Sequence, residues 1–189
     1  MSAQIGDSYI LDGQKLSVVA MSDDMNFKPQ DFGLCPVGCI SACWRGYWCI
    51  YEIKENTLYL KDLYINDKNL IHPKLNGKKL SKKKYMEHRC YGNVYLPINF
   101  SGKIFVGNNF LDEYYIHMGI QRFWAYKKLS ELTFENGKLI SIISLDNIAE
   151  KMRKIINENS LAIKEMIIER EKFLKKNFTK EEQVYVKWL

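Results

Sequence analysis

Along most of the first 144 positions, hydrophobic and polar residues alternate with a period of two, and aromatic and β-branched residues are frequent. This pattern is typical of strands that bury one face. Asp12 and Gly13 separate two apolar runs, and a glycine there accepts the positive φ of a tight hairpin turn. A second pair of apolar stretches surrounds residues 54–56. We therefore predict one hairpin over residues 8–20 and another over 47–65.

Three or four further strands are predicted from residues 93–107, 113–119 and 125–144, the last two strands being joined at 135–137. Residues 66–92 break the alternation and read as a long polar excursion with a lysine block in its middle. Because six lysines without acids repel one another, we expect this excursion to be exposed and poorly ordered.

From Leu145 onward the apolar positions recur at spacings of three, four and seven, which predicts one or two C-terminal amphipathic helices within 145–189. We expect residues 145–158 to pack on the sheet and residues 160–176 to be available to a partner or to self-association. The predicted fold is mostly β (α+β). An antiparallel sheet over 1–144, bent into a barrel or a two-layer β packing, is closed by the C-terminal helical segment.

The chain of 189 residues suits one domain, or one domain with an appendage. Apolar runs are shorter than a membrane span needs, and the first residues lack the pattern of an export signal. Five cysteines, an odd number, indicate reduced thiols rather than a disulfide framework. We expect a cytoplasmic protein that does not contact membranes, and the Lys-, Asn- and Ile-rich composition is typical of AT-rich bacteria or phages.

Four of the five cysteines lie between residues 35 and 49, at Cys35, Cys39, Cys43 and Cys49. Structural zinc sites usually present two separated pairs of ligands on turns, and this spacing does not fit them. The best metal alternative adds His88 and Cys90 from a distant segment. Burial as small apolar side chains explains the cluster more simply, so we expect no metal and no cofactor.

Residues 44–48 read WRGYW and offer the side-chain types that dominate protein interfaces. Alternation places Trp44 and Trp48 on one side of a strand, with Arg45 and Tyr47 on the other. The structural alternative is that both tryptophans pack under the long excursion. The candidate ligand or partner contacts are Trp44, Arg45, Tyr47, Trp48, Tyr115, His117 and Trp124.

No catalytic residue is assigned, because each of the three histidines stands alone in its segment and no glycine-rich loop opens a helix. Cys49 and His117 are a possible thiol and base, but the sequence does not place them together. The net charge of +6 is concentrated in six lysines between Lys74 and Lys84. A basic patch of Lys78, Lys79, Lys82, Lys83 and Lys84 predicts nucleic-acid binding that is at most weak and nonspecific.

These features favour a non-enzymatic intracellular interaction protein of bacterial or phage origin, of an inhibitor or immunity type, that binds a protein partner. The alternative is a small-ligand-binding or hydrolytic β domain whose pocket is lined by residues 44–48 and 114–117. The two alternatives differ in whether the aromatic residues line a cavity or face outward.

Overall fold

The computed structural model describes residues 2–22, 27–117, 119–158 and Thr179. These residues fold as α+β, mostly β, with ten strands and one α-helix. The strands are β1 (Ser8–Leu11), β2 (Gln14–Met21), β3 (Tyr47–Lys54), β4 (Thr57–Ile65), β5 (Lys84–Tyr85), β6 (His88–Tyr91), β7 (Leu96–Pro97), β8 (Gly102–Phe110), β9 (Tyr126–Glu135) and β10 (Lys138–Ser144). The other elements are three 3-10 helices (Pro29–Phe32, Asp112–Tyr114 and Phe123–Ala125) and the helix α1 (Asp146–Glu158).

Seven of the strands form a ring-like sheet in the order β10, β9, β8, β2, β1, β3, β4. The ring closes where Lys138 of β10 pairs with Thr57 of β4. Every neighbouring pair is antiparallel except β1 and β3, which run parallel. The predicted antiparallel sheet is therefore a mixed sheet, and β6 and β7 add to it at β4.

Both predicted hairpins are confirmed, and their turns have the geometry that two-residue hairpins require. Asp12 and Gly13 have φ values of 50° and 76°, and Glu55 and Asn56 have values of 51° and 56°. Positive φ at both central residues matches the right-handed twist of the flanking strands. Local sequence is thus enough to specify these two strand pairs.

The larger core cluster takes side chains from every strand of the ring and fills its inner face. On β3, the alternate residues Tyr47, Cys49, Tyr51 and Ile53 are all buried in it, as the period of two predicts. Each large side chain that is fully buried contributes roughly 1.5–3 kcal/mol relative to exposure. The inner cluster is therefore the main source of stability for the ring.

Helix α1 packs on the outer face of β8 and β9, which confirms the prediction for residues 145–158. Its buried residues Ile148, Ala149 and Met152 contact a second cluster that includes Phe105 and Leu129. Phe105 lies between two inner-face residues of β8, so its side chain points outward to the helix. The predictions for residues 160–176 fall outside the described residues.

One prediction about an irregular segment is wrong, and a second is only partly right, since most residues of 66–92 are exposed but the segment is ordered. Residues 113–117 do not form a strand, because the backbone N–H groups of Tyr114 and Tyr115 donate locally to Leu111 and Asp112 in a 3-10 turn. The excursion 66–92 is not simply exposed: it forms the β5–β6 hairpin, and Leu75 and Tyr91 are buried in the inner cluster. Leu75 and Tyr91 anchor it, while its lysines and other apolar residues such as Leu70 and Ile71 are exposed.

Candidate functional site

A groove of about 460 Å³ lies between the N-terminal segment, strand β2 and the turn that precedes β3. Its lining includes residues 4–7, residues 18–21, Cys43, Trp44, Arg45 and Ile120. Backbone bonds hold the N-terminal segment in place, since Gln4 N–H donates to the Gly119 carbonyl and Ile5 N–H to the Ala42 carbonyl, each over 2.8 Å. The groove is therefore built from four separate parts of the chain.

An ion pair between Asp7 and Arg45 lies at the groove. One guanidinium nitrogen, Nη2, contacts Asp7 Oδ1, and Nη1 donates to Asp7 Oδ2 over 3.2 Å. Arg45 Nε donates to the Tyr47 carbonyl oxygen over 2.7 Å, and the Cys49 N–H donates to Asp7 Oδ1 over 2.7 Å. Burial lowers the pKa of Arg45, but the neighbouring Asp7 carboxylate outweighs this and raises it. The two side chains therefore form a bidentate pair at the groove.

The thiol of Cys43 also lines the groove, but it is not an activated nucleophile. Cys43 is buried, and its Sγ donates to the Tyr47 carbonyl oxygen over 3.5 Å. Burial raises the pKa of this thiol, and the nearby Arg45 only partly opposes the effect. A thiol attacks as the thiolate, so this group stays unreactive near neutral pH.

Two large apolar side chains stand at the rim of the groove. Trp44 is 58% exposed and Ile120 is 60% exposed. The backbone of Trp44 is fixed, because its N–H donates to Gln4 Oε1 over 3.1 Å and the adjacent turn is closed by a bond from Cys43 N–H to the Ile40 carbonyl. The indole of Trp44 is therefore exposed to solvent while hydrogen bonds fix its backbone.

The other candidate contacts lie elsewhere. Tyr47 and Trp48 are buried, and burial raises the pKa of Tyr47 to about 12. Tyr115 and His117 are exposed in the loop after the 3-10 turn and do not line the groove. Trp124 packs edge-on against Phe123 beneath helix α1. Only Trp44 and Arg45 of the predicted contacts meet at this site.

The two tryptophans of the WRGYW stretch have different surroundings. Trp48 does pack against the excursion, since its ring lies 4.7 Å from His88 and 6.4 Å from Tyr85. It also stacks on Tyr64 at 4.8 Å with an interplanar angle of 7°. Trp44 precedes β3 in a turn and faces solvent, because the strand alternation that would bury it begins only at Tyr47.

The structure brings together the Cys39 thiol and the His88 imidazole, which the sequence grouped only in the metal alternative. Cys39 Sγ lies 3.9 Å from His88 Nε2, and His88 Nδ1 faces the Met86 carbonyl oxygen at 2.6 Å. Burial and the nearby Glu87 raise the pKa of the Cys39 thiol, with Lys84 opposing them. The proposed pair of Cys49 and His117 does not form, because Cys49 is fully buried and His117 is exposed.

Beyond the contact of Cys39 with His88, the cysteines and histidines of the described ranges form no larger cluster. The five cysteines are free thiols there, and Cys43 and Cys49 are buried. No group of three or more His, Cys, Asp or Glu side chains among the described residues is placed to hold a metal ion. The metal alternative that adds His88 and Cys90 to the cysteine cluster therefore has one Cys–His contact within these ranges but no group of three ligands.

Sequence reasoning missed the part that residues 4–7 play in the groove. Gln4 and Asp7 bind residues 41–49 through side-chain hydrogen bonds. Such a contact joins segments about forty positions apart, and no local period or motif reports it. The sequence feature that pointed to this place was the WRGYW stretch, of which Trp44 and Arg45 line the groove.

Comparison with known proteins gives no relative: no family model, no curated protein and no solved structure matches the chain. None of the described helices is both long enough and apolar enough to span a membrane. The function is therefore argued from the geometry of the groove and of the surface around the excursion.

Proposed function

We propose that the protein is a non-enzymatic intracellular interaction protein of bacterial or phage origin, of an inhibitor or immunity type. It holds a protein partner at the groove beside Trp44. The observation that carries the proposal is the exposed indole on a fixed backbone at the rim of an apolar groove. Tryptophans of this kind dominate the binding energy of protein interfaces, because they bury much area at little entropic cost.

The polar groups at the groove favour a protein partner over a small ligand. Small-ligand sites usually direct a few unpaired polar groups at the ligand. Here all three guanidinium nitrogens of Arg45 already donate to Asp7 or Tyr47, and the Cys43 thiol is bonded and protonated. An apolar side chain of a partner fits these walls without breaking the internal bonds.

The proposal is tested by selecting binding peptides from a random library on the immobilised protein and measuring their affinities by calorimetry. We expect the selected peptides to share an aromatic or aliphatic anchor residue. Trp44→Ala is expected to weaken them at least tenfold, which corresponds to about 1.4 kcal/mol. Ile120→Ser, at the second exposed apolar side chain of the lining, is expected to weaken them as well.

Ile140→Ser is the matched control, because Ile140 is 59% exposed but lies on β10 and does not line the groove. Circular dichroism verifies that each variant is folded. The proposal is wrong if the peptides bind Trp44→Ala and the parent protein equally well. It is also wrong if native mass spectrometry finds a small molecule in the groove, which is the result that a ligand-binding or hydrolytic domain predicts.

A further inference from the structure

The whole net charge of the protein comes from one segment. Residues 66–92 contain eight Lys or Arg residues and two acids, whereas the rest of the chain has twenty of each. Asp67 is bonded internally, since its Oδ2 lies 2.9 Å from His72 Nδ1. Glu87 pairs with Lys84 over 2.9 Å. The remaining lysines of the basic patch have no acidic partner among the described residues.

The lysines are displayed on a packed scaffold rather than on a free loop. Leu75 is buried, and the backbone groups of Leu75 and Lys78 bond each other in both directions over 3.0 Å. Tyr91 donates its hydroxyl to the Pro73 carbonyl oxygen over 2.7 Å, and Asn76 Nδ2 donates to the Val94 carbonyl oxygen over 2.8 Å. Positive charge held in place in this way produces a strong local field.

An exposed aromatic ring directly follows the lysines. Tyr85 is 61% exposed, and its ring contacts Trp48 and Tyr64 edge-on at 6.4 and 6.0 Å. The rings of Trp48 and Tyr64 stack on each other and support the Tyr85 ring from one side. Tyr85 pairs with His88 in the β5–β6 hairpin, which fixes the backbone of Tyr85. Tyr85 therefore leaves much of its surface open beside Lys82, Lys83 and Lys84.

We propose that this surface, Tyr85 with Lys78, Lys79, Lys82, Lys83 and Lys84, binds single-stranded nucleic acid without sequence preference. The lysines would contact phosphates, and the tyrosine would stack on an unpaired base. A duplex offers no free base face to the ring. An acidic protein would use the charge but not the ring, so the role of Tyr85 separates the two partners. The surface shares no residue with the groove lining and does not depend on the function proposed there.

The test is fluorescence anisotropy with a labelled fifteen-nucleotide oligothymidine and a duplex of equal length, over a series of salt concentrations. We expect tighter binding of the single strand. For about four phosphate contacts, the logarithm of its affinity should fall against the logarithm of salt with a slope of roughly −3. Tyr85→Ala is expected to weaken binding about tenfold without changing the slope, and Tyr85→Phe to retain binding. Lys82→Ala with Lys83→Ala is expected to make the slope less steep by about 1.4.

Tyr115→Ala and Lys127→Ala are the matched controls, because both residues are exposed and lie outside this segment. Both are expected to bind like the parent protein, and thermal melts verify folding. Equal affinity for the duplex and the single strand would overturn the proposal. Tyr85→Ala that binds like the parent, or polyglutamate that competes as well as the oligonucleotide, would also overturn it and indicate an acidic protein partner.

Discussion

The cysteines of residues 35–49 show how much neighbouring residues differ in their surroundings. Cys39 is exposed, whereas Cys49 is fully buried in the inner cluster. The sequence spacing argued against a shared site, and the alternation along β3 places Cys49 on the buried face with Tyr47 and Tyr51. Neither pattern showed that Cys39 meets His88, because that contact depends on how the excursion folds back on the sheet.

We predict that iodoacetamide labels Cys39 first and Cys49 last in the native protein. Cys49 is inaccessible, and its pKa is well above the ordinary value because of burial and the nearby Asp7. Since the pKa of Cys39 is also raised, its labelling rate should still increase through pH 9. Peptide mass spectrometry at timed intervals measures both rates. Cys39→Ser should remove the fast phase, and equal native rates for the two thiols would contradict the prediction.

At the scale of elements, features set by near neighbours were predictable. The β1–β2 and β3–β4 hairpins follow from alternation and turn residues, and α1 follows from its apolar stripe. The strand expected at 113–119 is absent from its described residues, since aromatic composition favours a strand only where a neighbouring strand is available for pairing. The order within the excursion was not predicted because Leu75 and Tyr91, which pack in the inner cluster, belong to no period in the sequence.

The start of α1 gives a prediction about pH. Asp146 Oδ1 accepts the Leu129 N–H over 2.8 Å, and Oδ2 accepts Lys128 Nζ over 2.7 Å. Burial raises the pKa of Asp146, but these bonds outweigh it and leave the pKa below its ordinary value. The stabilisation is therefore complete above the unfolded pKa of about 3.9 and is lost as pH falls through the lower folded value.

We expect Asp146→Asn to lower the free energy of unfolding by about 1 kcal/mol at pH 7 and to reduce its loss between pH 5 and pH 2. The estimate is modest because solvent screens a side chain that is 31% exposed. Urea denaturation at each pH measures the effect. Asp112→Asn, at an exposed 3-10 turn, is the control and should be nearly neutral. A variant with the same acid sensitivity as the parent protein would contradict this assignment.

At the scale of the whole molecule, the ring could be expected only as a class of fold. Alternation predicts that a strand has one buried face. The same alternation suits a strand with parallel neighbours and one with antiparallel neighbours, so it does not predict the direction of pairing. The parallel pairing of β1 with β3 and the closure of β10 on β4 depend on contacts between distant segments. The candidate site has the same origin, since the groove joins residues 4–7 to Trp44 and Ile120.

Gly137 provides a test of the ring closure. Its carbonyl accepts the Leu58 N–H over 2.9 Å, and its N–H donates to the Phe100 carbonyl over 2.8 Å. A Cβ there would lie 2.3 Å from the Ile98 carbonyl oxygen, and φ is 76°. Gly137→Ala therefore combines backbone strain with a steric clash. The seam where β10 meets β4 must shift to relieve that clash. We expect it to cost about 2–4 kcal/mol of unfolding free energy in urea titrations.

Gly13→Ala is the matched control for that substitution. Gly13 has the same φ of 76° in the β1–β2 turn, but its added Cβ would meet no atom within 4 Å. It carries the strain without the clash, so we expect a loss of about 1 kcal/mol. Equal losses for the two variants would show that the seam between β4 and β10 adjusts freely.

The position of the first hairpin in the ring has a consequence for the order of folding. The strands β1 and β2 are synthesised before their neighbours, since β1 borders β3, and Val18 of β2 pairs with Val106 of β8. A hairpin alone is marginally stable in water. The free edge of β1 is covered once β3 is made, but the free edge of β2 stays open until β8 leaves the ribosome. Until then this edge is open to pairing with other chains, and the non-local contacts make folding slow for a protein of this length.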